Sequence, residues 1–317
     1  MAFTRIDRDV LRRYPGNPIL TAASFPVKMR AVYNSSAVKL APGRYVMLCR
    51  CNQLNHRTLL WGADSSDGLN WTLRPDPFEM PDDPLWLAVT RSVYYDPRIT
   101  FIDGRFLVLL ATEGDQGCRV AMFESRDELR TLRFINYINV PDNRNMVIFP
   151  ERHTDGRYMR LERPSQASMG GKGNIWLSFS PDLVHWGDSR EVLRADSSLW
   201  NYAYSGLGPS TVPHRTPDGW LHVFHAIMNN CSTREYSVGA MLLDLDKPWI
   251  VRHVTRHPIL YPLADYELRG LVEHVCFPCA KIVEDDGTVK LYYGAADTVQ
   301  CVATGRLEDL VHACKHW

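Results

Sequence analysis

Five times in this chain a turn ending in glycine leads at once into a run of strand-forming residues. The turns and runs are Pro42-Gly43 before RYVMLCR, Asp103-Gly104 before RFLVLLA, Asp155-Gly156 before RYMRLER, Asp218-Gly219 before WLHVFHA, and Asp286-Gly287 before TVKLYYG. Four of the five are Asp-Gly, the dipeptide that supplies the positive φ angles of a tight hairpin. The glycines lie 61, 52, 63 and 68 residues apart, too even for chance and too long for a helical solenoid repeat. A strand-like run precedes each turn: 35–40, 96–101, 149–153, 208–212 and 277–282. A third apolar run follows each hairpin and closes on an acidic or Trp-containing turn at Trp71, Leu129, Trp186, Trp249 and Leu310.

A unit of about 60 residues with three or four short strands, repeated five times, is the grammar of small antiparallel sheets arranged radially. The expected fold is therefore all-β, a five-bladed β-propeller occupying residues 1–317 as a single catalytic domain, with an N-terminal arm over about 1–14. A β-sandwich would not repeat the same turn and strand order five times. A helix-rich fold is disfavoured because Gly, Pro and β-branched residues interrupt the windows an amphipathic helix would need.

Composition removes several function classes. The 317 residues carry 36 Lys+Arg against 36 Asp+Glu, so there is no basic excess of the kind that displaces counterions from nucleic acid. There is no basic amphipathic stretch for a membrane surface and no apolar run approaching a membrane span. The first twenty residues hold Arg5, Asp7, Arg8, Asp9, Arg12 and Arg13 and lack the apolar core of a secretory signal. Eight scattered cysteines read as reduced, buried thiols of a cytoplasmic protein. Cys276-Phe-Pro-Cys279 has no second CxxC or His pair to make a metal site. No metal and no cofactor are expected.

In a propeller the first strand of each blade lines the central channel, and ligands sit at one mouth of it. The residues opening the pre-turn strands then share a mouth: Asn34 and Ser35, Tyr95 and Asp96, Arg144 and Asn145, Tyr204 to Pro209, and His274 to Phe277. The partner strands return toward the same end with Arg50, Arg160, Arg163, His225 and Asp297. Asp96 reads equally as a turn cap or as a general acid in a sugar cleft. Arg144, Arg160 and Arg163 would repel one another unless an anion or carboxylates lay between them, and guanidinium forks match phosphate or carboxylate oxygens. The bland alternative is pairing with Glu151 and Glu162. His225 and Tyr236 are weaker signals, since a lone His on an apolar strand is ordinarily a core group. There is no GxSxG elbow, HExxH, Walker loop or dinucleotide fingerprint. Met169-Gly-Gly-Lys-Gly173 lacks Walker spacing and reads as a loop near the site.

Seven segments, in order, carry a family resemblance: Tyr94-Tyr-Asp-Pro-Arg-Ile-Thr100, Asn143-Arg-Asn-Met-Val-Ile-Phe-Pro150, Arg157-Tyr-Met-Arg-Leu-Glu-Arg-Pro164, Thr216-Pro-Asp-Gly-Trp220 with Phe224-His225, Tyr236-Ser-Val-Gly-Ala-Met-Leu-Leu-Asp244, Cys276-Phe-Pro-Cys279 and Tyr292-Tyr-Gly-Ala-Ala-Asp-Thr298. From about Pro15 to Leu310 the chain resembles glycoside hydrolase family 130, the β-mannoside phosphorylases and β-mannosidases, which are five-bladed β-propellers. The resemblance implies inverting phosphorolysis of a β-1,4-mannoside to α-mannose 1-phosphate. The acceptor would be glucose, N-acetylglucosamine or a manno-oligosaccharide. It implies Asp96 as general acid, its proton relayed through a mannose hydroxyl. It implies phosphate binding by Arg144, Asn145, Arg160 and His225 with Tyr236 nearby. It implies mannose binding by Asn34, Ser35, Arg50 and Asp297, beside Tyr95. Inorganic phosphate and the mannoside are then the partners, with no nucleic acid or membrane.

Two departures bear on the chemistry. Tyr204 stands where many phosphorylases of the family carry a phosphate-binding Lys. The segment Val272-Glu-His-Val-Cys-Phe-Pro278 places Glu273, a candidate base for hydrolysis, near the mouth. An inverting β-mannosidase is therefore the alternative, since such hydrolases need a second carboxylate to activate water. Loops at 52–56, 83–91, 165–172 and 228–235 would set the acceptor. Residues 1–14 and 311–317 are candidate contacts for a homo-oligomer.

Overall fold

The repeated turns work as local chemistry requires. In the computed structural model, which describes residues 9–90, 93–115, 117–165, 173–195, 202–229, 231 and 233–317, each turn glycine has positive φ: 70° at Gly43, 73° at Gly104, 86° at Gly156, 139° at Gly219 and 81° at Gly287. Only at Asp103-Gly104 is the preceding Asp also left-handed, at 53°. There Ile102 pairs with Arg105 across a two-residue loop. At the other three Asp-Gly turns the glycine alone takes the strained angle, and the Asp side chain serves elsewhere; Asp286, for example, accepts from the backbone and hydroxyl of Thr288.

Each hairpin opens an antiparallel sheet, and the five sheets are the blades of a five-bladed β-propeller. Blade 1 runs from Ala31–Val32 and Ser36–Ala41 through Arg44–Asn52 and Thr58–Ser65 to Thr72–Pro77. Blade 2 is Tyr94–Ile102, Arg105–Gly114, Gly117–Ser125 and Arg133–Tyr137. Blade 3 is Asn143–Ile148, Tyr158–Pro164, Ile175–Ser180 and Gly187–Leu193. Blade 4 is Gly206–Pro209 with His214–Thr216, then Gly219–Asn229, Arg234–Leu243 and Val251–Val254. Blade 5 is Cys276–Val283, Thr288–Ala295 and Val299–Arg306, and its outer strand is Leu11–Arg13, paired with Ala303–Gly305. Part of the predicted N-terminal arm is thus a strand that closes the ring; residues 1–8 lie outside the described residues.

The core explains why the second strands are almost continuously apolar. Met47 and Cys49 pack with Ile282 and Tyr292 of blade 5, while Val46 and Leu48, on the opposite face, pack with Val108 and Leu110 of blade 2. A strand buried on both faces shows no polar alternation. One apolar cluster fills each blade-to-blade interface, five in all. All eight cysteines are unpaired and seven are buried. Burial pushes the Cys279 thiol up to about 12, which suits a packing role rather than metal or redox chemistry.

Three details differ from the sequence reading. The inner strand of blade 3 is Asn143–Ile148, ending before Pro150, which has no N–H for the ladder. The third strand of blade 5 passes into a helix, Leu307–His316, whose Leu310, Ala313 and Cys314 pack beneath blades 4 and 5. After the third strands of blades 1 to 3, a Ser-x-Asp turn recurs: the carboxylates of Asp67, Asp127 and Asp182 cap backbone N–H groups and bond Ser65, Ser125 and Ser180. Among the described residues no helix is long and apolar enough to cross a membrane.

Candidate active site

The blade openings share a backbone device. Asn34, Asp96, Asn145 and His274 adopt φ of 52°, 54°, 60° and 59° where the inner strands of blades 1, 2, 3 and 5 begin. In blades 2 and 3 the ladder slips at these points, between Tyr95 and Arg98 and between Arg144 and Val147. Such bulges re-aim side chains, and Asn, Asp and His tolerate the left-handed region best among non-glycine residues. The strand openings thereby present polar groups at the channel mouth.

Contacts run from blade to blade around that mouth. Oδ1 of Asp96, which is 8% exposed, accepts from Nδ2 of Asn34 at 3.0 Å and from Nη1 of Arg50 at 2.7 Å. Gly294 of blade 5 lies so close beneath Asn34 that a Cβ there would sit 2.0 Å from its Oδ1. Arg50 also donates Nη2 to the Tyr33 hydroxyl at 2.7 Å and lies over the rings of Tyr33 and Tyr95. Asp297 sits within the fields of Arg50 and Asp96; burial first, and Asp96 in addition, push its carboxyl up to about 6 against the pull of Arg50.

The blade 3 side is cationic. Arg144 donates to the Tyr95 hydroxyl at 3.2 Å and to Asp142 at 3.1 Å, and Tyr95 in turn bonds Glu113. Arg163 is the cross-strand partner of Arg144. Its Nη1 lies 3.2 Å from Nε2 of His225, and Nδ2 of Asn145 reaches the same nitrogen at 3.3 Å. Burial, then the neighbouring Arg144, hold Arg163 below the usual guanidinium value. Nε of both arginines is buried without a partner, and among the described residues no carboxylate pairs with Arg163. Tyr236 and Phe277 stack around the His225 ring, and the Tyr236 amide donates to the carbonyl of His274.

Arg160 is not brought to this cluster. It pairs with Ile148, and on its own strand lies three positions from Arg163, or about 10 Å at strand rise. Its guanidinium is spent on Ser178, the Ile138 carbonyl and Glu162, with Trp186 beneath it. Glu162 neutralises Arg160, and Glu151 pairs with Arg215, so local acids leave Arg163 uncompensated. Ser35 is also held back: it is fully buried, its amide donating to Gln300 and its hydroxyl accepting from the Arg50 amide. Tyr204 is exposed at the start of blade 4, and Glu273 is exposed with no hydrogen bond to the Asp96–Arg50 group among the described residues. Residues 166–172, which include most of the glycine-rich loop, lie outside the described residues. Gly173 packs on the Arg163 stem and accepts from the Leu207 amide.

Several members had no signal in the sequence. Tyr33 precedes an inner strand like many loop residues, and only the fold shows its hydroxyl between Arg50 and Asn52. Arg163 is among the candidate cations of the sequence, but only strand register separates it from Arg160. Ser210, which bonds Nδ1 of His225 at 2.9 Å, belongs to the 208–212 run read only as a strand.

A family model described as beta-1,4-mannooligosaccharide phosphorylase matches residues 5–316. A β-1,4-mannooligosaccharide phosphorylase of Ruminococcus albus is 32% identical over 313 residues, 97% of this chain and 92% of its own. A β-1,2-mannobiose phosphorylase of Listeria innocua is 34% identical over 250 residues, 79% of this chain and 67% of its own. The solved structure of a β-1,2-mannobiose phosphorylase from Listeria innocua, in complex with β-1,2-mannobiose, aligns with a TM-score of 0.86 at 26% identity, covering 96% of this chain and 99% of that one. With a family match along nearly its whole length, and a channel mouth that carries Asp96 on one side and, on the other, an Arg163 with no carboxylate partner among the described residues, the chain belongs to glycoside hydrolase family 130, as its motifs imply.

Proposed function

We propose that this protein is an inverting β-mannoside phosphorylase that cleaves a β-1,4-mannoside with inorganic phosphate to give α-mannose 1-phosphate and the shortened acceptor. One observation carries the reading: Arg163 stands beside Arg144 with an unspent N–H group and, among the described residues, no carboxylate of its own, while Arg144 is held by Asp142 and Glu113. Phosphate is an anion whose oxygens match guanidinium forks. It is also a nucleophile that needs positioning rather than deprotonation by a second carboxylate. The family model's β-1,4 description, and two relatives with β-1,4 or 4-O-β names that each cover 97% of this chain, support that linkage.

Each group then has a task. Oδ1 of Asp96 is occupied by Asn34 and Arg50, which leaves Oδ2 to carry the proton. As the C1–O bond breaks, that proton passes to the departing glycosidic oxygen by way of a mannose hydroxyl, and a phosphate oxygen bonds to C1 from the opposite face. Arg144, Arg163 and Asn145 hold phosphate, with Tyr236 at its edge and His225 setting the Arg163 fork. Arg50, Asn34, Tyr33 and Asp297 hold the mannose hydroxyls. Incubation with β-1,4-mannobiose, with and without phosphate, tests the reading. Mannose 1-phosphate formed only with phosphate supports it; phosphate-independent release of mannose refutes it, and β-1,2-mannobiose as the sole substrate refutes the linkage.

A further inference from the structure

Below the mouth, the central channel holds polar groups that the reaction leaves unused. Arg98 is 2% exposed. Its Nη1 donates to the backbone oxygens of Asp96 at 3.0 Å and Pro97 at 3.1 Å. Its Nε and Nη2 are sealed from solvent and have no partner among the described residues. Oγ1 of Thr211 is in the same condition, and the buried His222 ring has at most the Thr211 backbone for a partner.

These groups converge. Arg98 extends from blade 2 toward blades 4 and 5, with its guanidinium 5.8 Å from the centre of the Phe277 ring and beside the Cys279 thiol. The His222 ring lies near the Thr211 backbone and feels the charges of both Lys281 and Arg98. Lys281 donates Nζ to the carbonyls of Val212 and Leu221. Adjoining them, a cavity of about 290 Å³ is lined by Ile99, Thr100, Val212, Cys279 and Lys281.

Buried charges in proteins are paired or hold an ion, and buried donors find acceptors. Here a guanidinium and an amine share the channel, and among the described residues neither pairs with a carboxylate. The one acid close by, Asp96, gives Oδ1 to Asn34 and Arg50. Water could accept from the donors but would leave the guanidinium charge unbalanced. Burial brings the Lys281 amine down to about 7, so the guanidinium is the one permanent positive charge, and ringed by donors it matches one negative charge.

We propose that the central channel binds a small monovalent anion of halide size, held by Nε and Nη2 of Arg98 with the Thr211 hydroxyl and the His222 ring. Because Nη1 of the same guanidinium grips the Asp96 and Pro97 carbonyls, the ion anchors the kinked backbone that carries the Asp96 carboxyl. Arg98 is then a positioning residue. None of these ligands is a group assigned to phosphate, although the Arg98 charge reaches His225.

The full chain, exchanged into gluconate and titrated with bromide at constant ionic strength, provides the test, together with anomalous diffraction from bromide-soaked crystals. The expected result is an anomalous peak within hydrogen-bonding distance of Nε or Nη2 of Arg98 and a saturable rise in melting temperature. Thr211→Val should weaken the bromide dependence about tenfold, the loss of one hydrogen bond to an ion. A peak confined to Arg144, Arg163 and His225, or no peak at all, overturns the proposal. So does a channel peak of full occupancy in both Thr211→Val and Arg98→Lys.

Discussion

Nη1 of Arg163 lies 3.2 Å from Nε2 of His225, a bond that joins blade 3 to blade 4 at the channel mouth. A guanidinium can only donate, so Nε2 accepts and the ring proton resides on Nδ1, facing the Ser210 hydroxyl at 2.9 Å. Burial first, and then the charges of Arg163 and Arg98, hold the ring far below the ordinary histidine value. His225 is therefore held in its neutral form, and in the proposed reaction its part is to orient Arg163 rather than to add a charge for phosphate.

Arg163 and Arg160 should separate cleanly by mutation. Arg163→Lys keeps a charge but loses the fork, and the KM for phosphate should rise by roughly tenfold or more with the fold intact. Arg160→Gln strands Glu162 in a buried site, where breaking such a pair costs about 3–5 kcal/mol. Its melting temperature should fall sharply while the KM for phosphate stays near wild type. Initial-rate kinetics and thermal melts on the two proteins check the pair; the reverse pattern would return Arg160 to the phosphate site.

Gly208→Ala tests the position of the imidazole. A Cβ at Gly208 would sit 2.3 Å from Cε1 and 2.5 Å from Nε2 of His225, and 3.0 Å from Nδ2 of Asn145. The ring must shift, at about 1–3 kcal/mol of stability. Phosphate affinity should drop well beyond what that modest destabilisation explains. Calorimetric titration with phosphate alone reads this directly.

Asp297 sets a pH limb. Its carboxyl is pushed up to about 6 in the folded protein, so it gains its charge as pH rises through 6. If the ionised form accepts from mannose hydroxyls, kcat/KM should climb between pH 5 and 7 and level off above. Asp297→Asn should remove that limb and lower activity at every pH. A limb that persists unchanged in the variant would assign the titration to another group.

Acid should destabilise the protein through its buried imidazoles. Free in the unfolded chain, His222 and His225 take up protons below about 6.5; folded, His222 resists until about 3 and His225 lies well below 6.5. The unfolded state therefore binds more protons as pH falls, so this stability is complete above about 6.5 and is lost below it. Two such groups give a slope of about 2.7 kcal/mol per pH unit. Asp297 opposes it between 3.8 and about 6, because its folded form holds the proton longer. Urea midpoints measured from pH 7 to 4.5 should fall steadily, and less steeply in His222→Gln.

The ring of five blades was legible because its punctuation is local. Gly43, Gly104, Gly156, Gly219 and Gly287 each occupy a backbone angle that few other residues accept, and the apolar runs beside them must be buried on both faces. Asp96, Asn145 and Asn34 could be placed at one mouth for the same reason, since they open inner strands that all run the same way. The helix at Leu307–His316 was hidden because its first turn, Leu307-Glu-Asp-Leu310, reads like the acidic turns that close the other third strands.

What the chain determined by itself was the repeat, the turns, the blade-opening motifs and the family to which they belong. What tertiary structure decided was which neighbours meet. Arg163 rather than Arg160 stands opposite Arg144 because of the register between two strands separated by a loop. His225 is neutral because blades 3, 4 and 5 close over it together. Leu11–Arg13 becomes the last strand of blade 5 only by pairing with residues nearly the whole chain away. Backbone angle and apolar pattern act over a few residues, whereas desolvation, charge and register depend on partners that only the folded ring brings within reach.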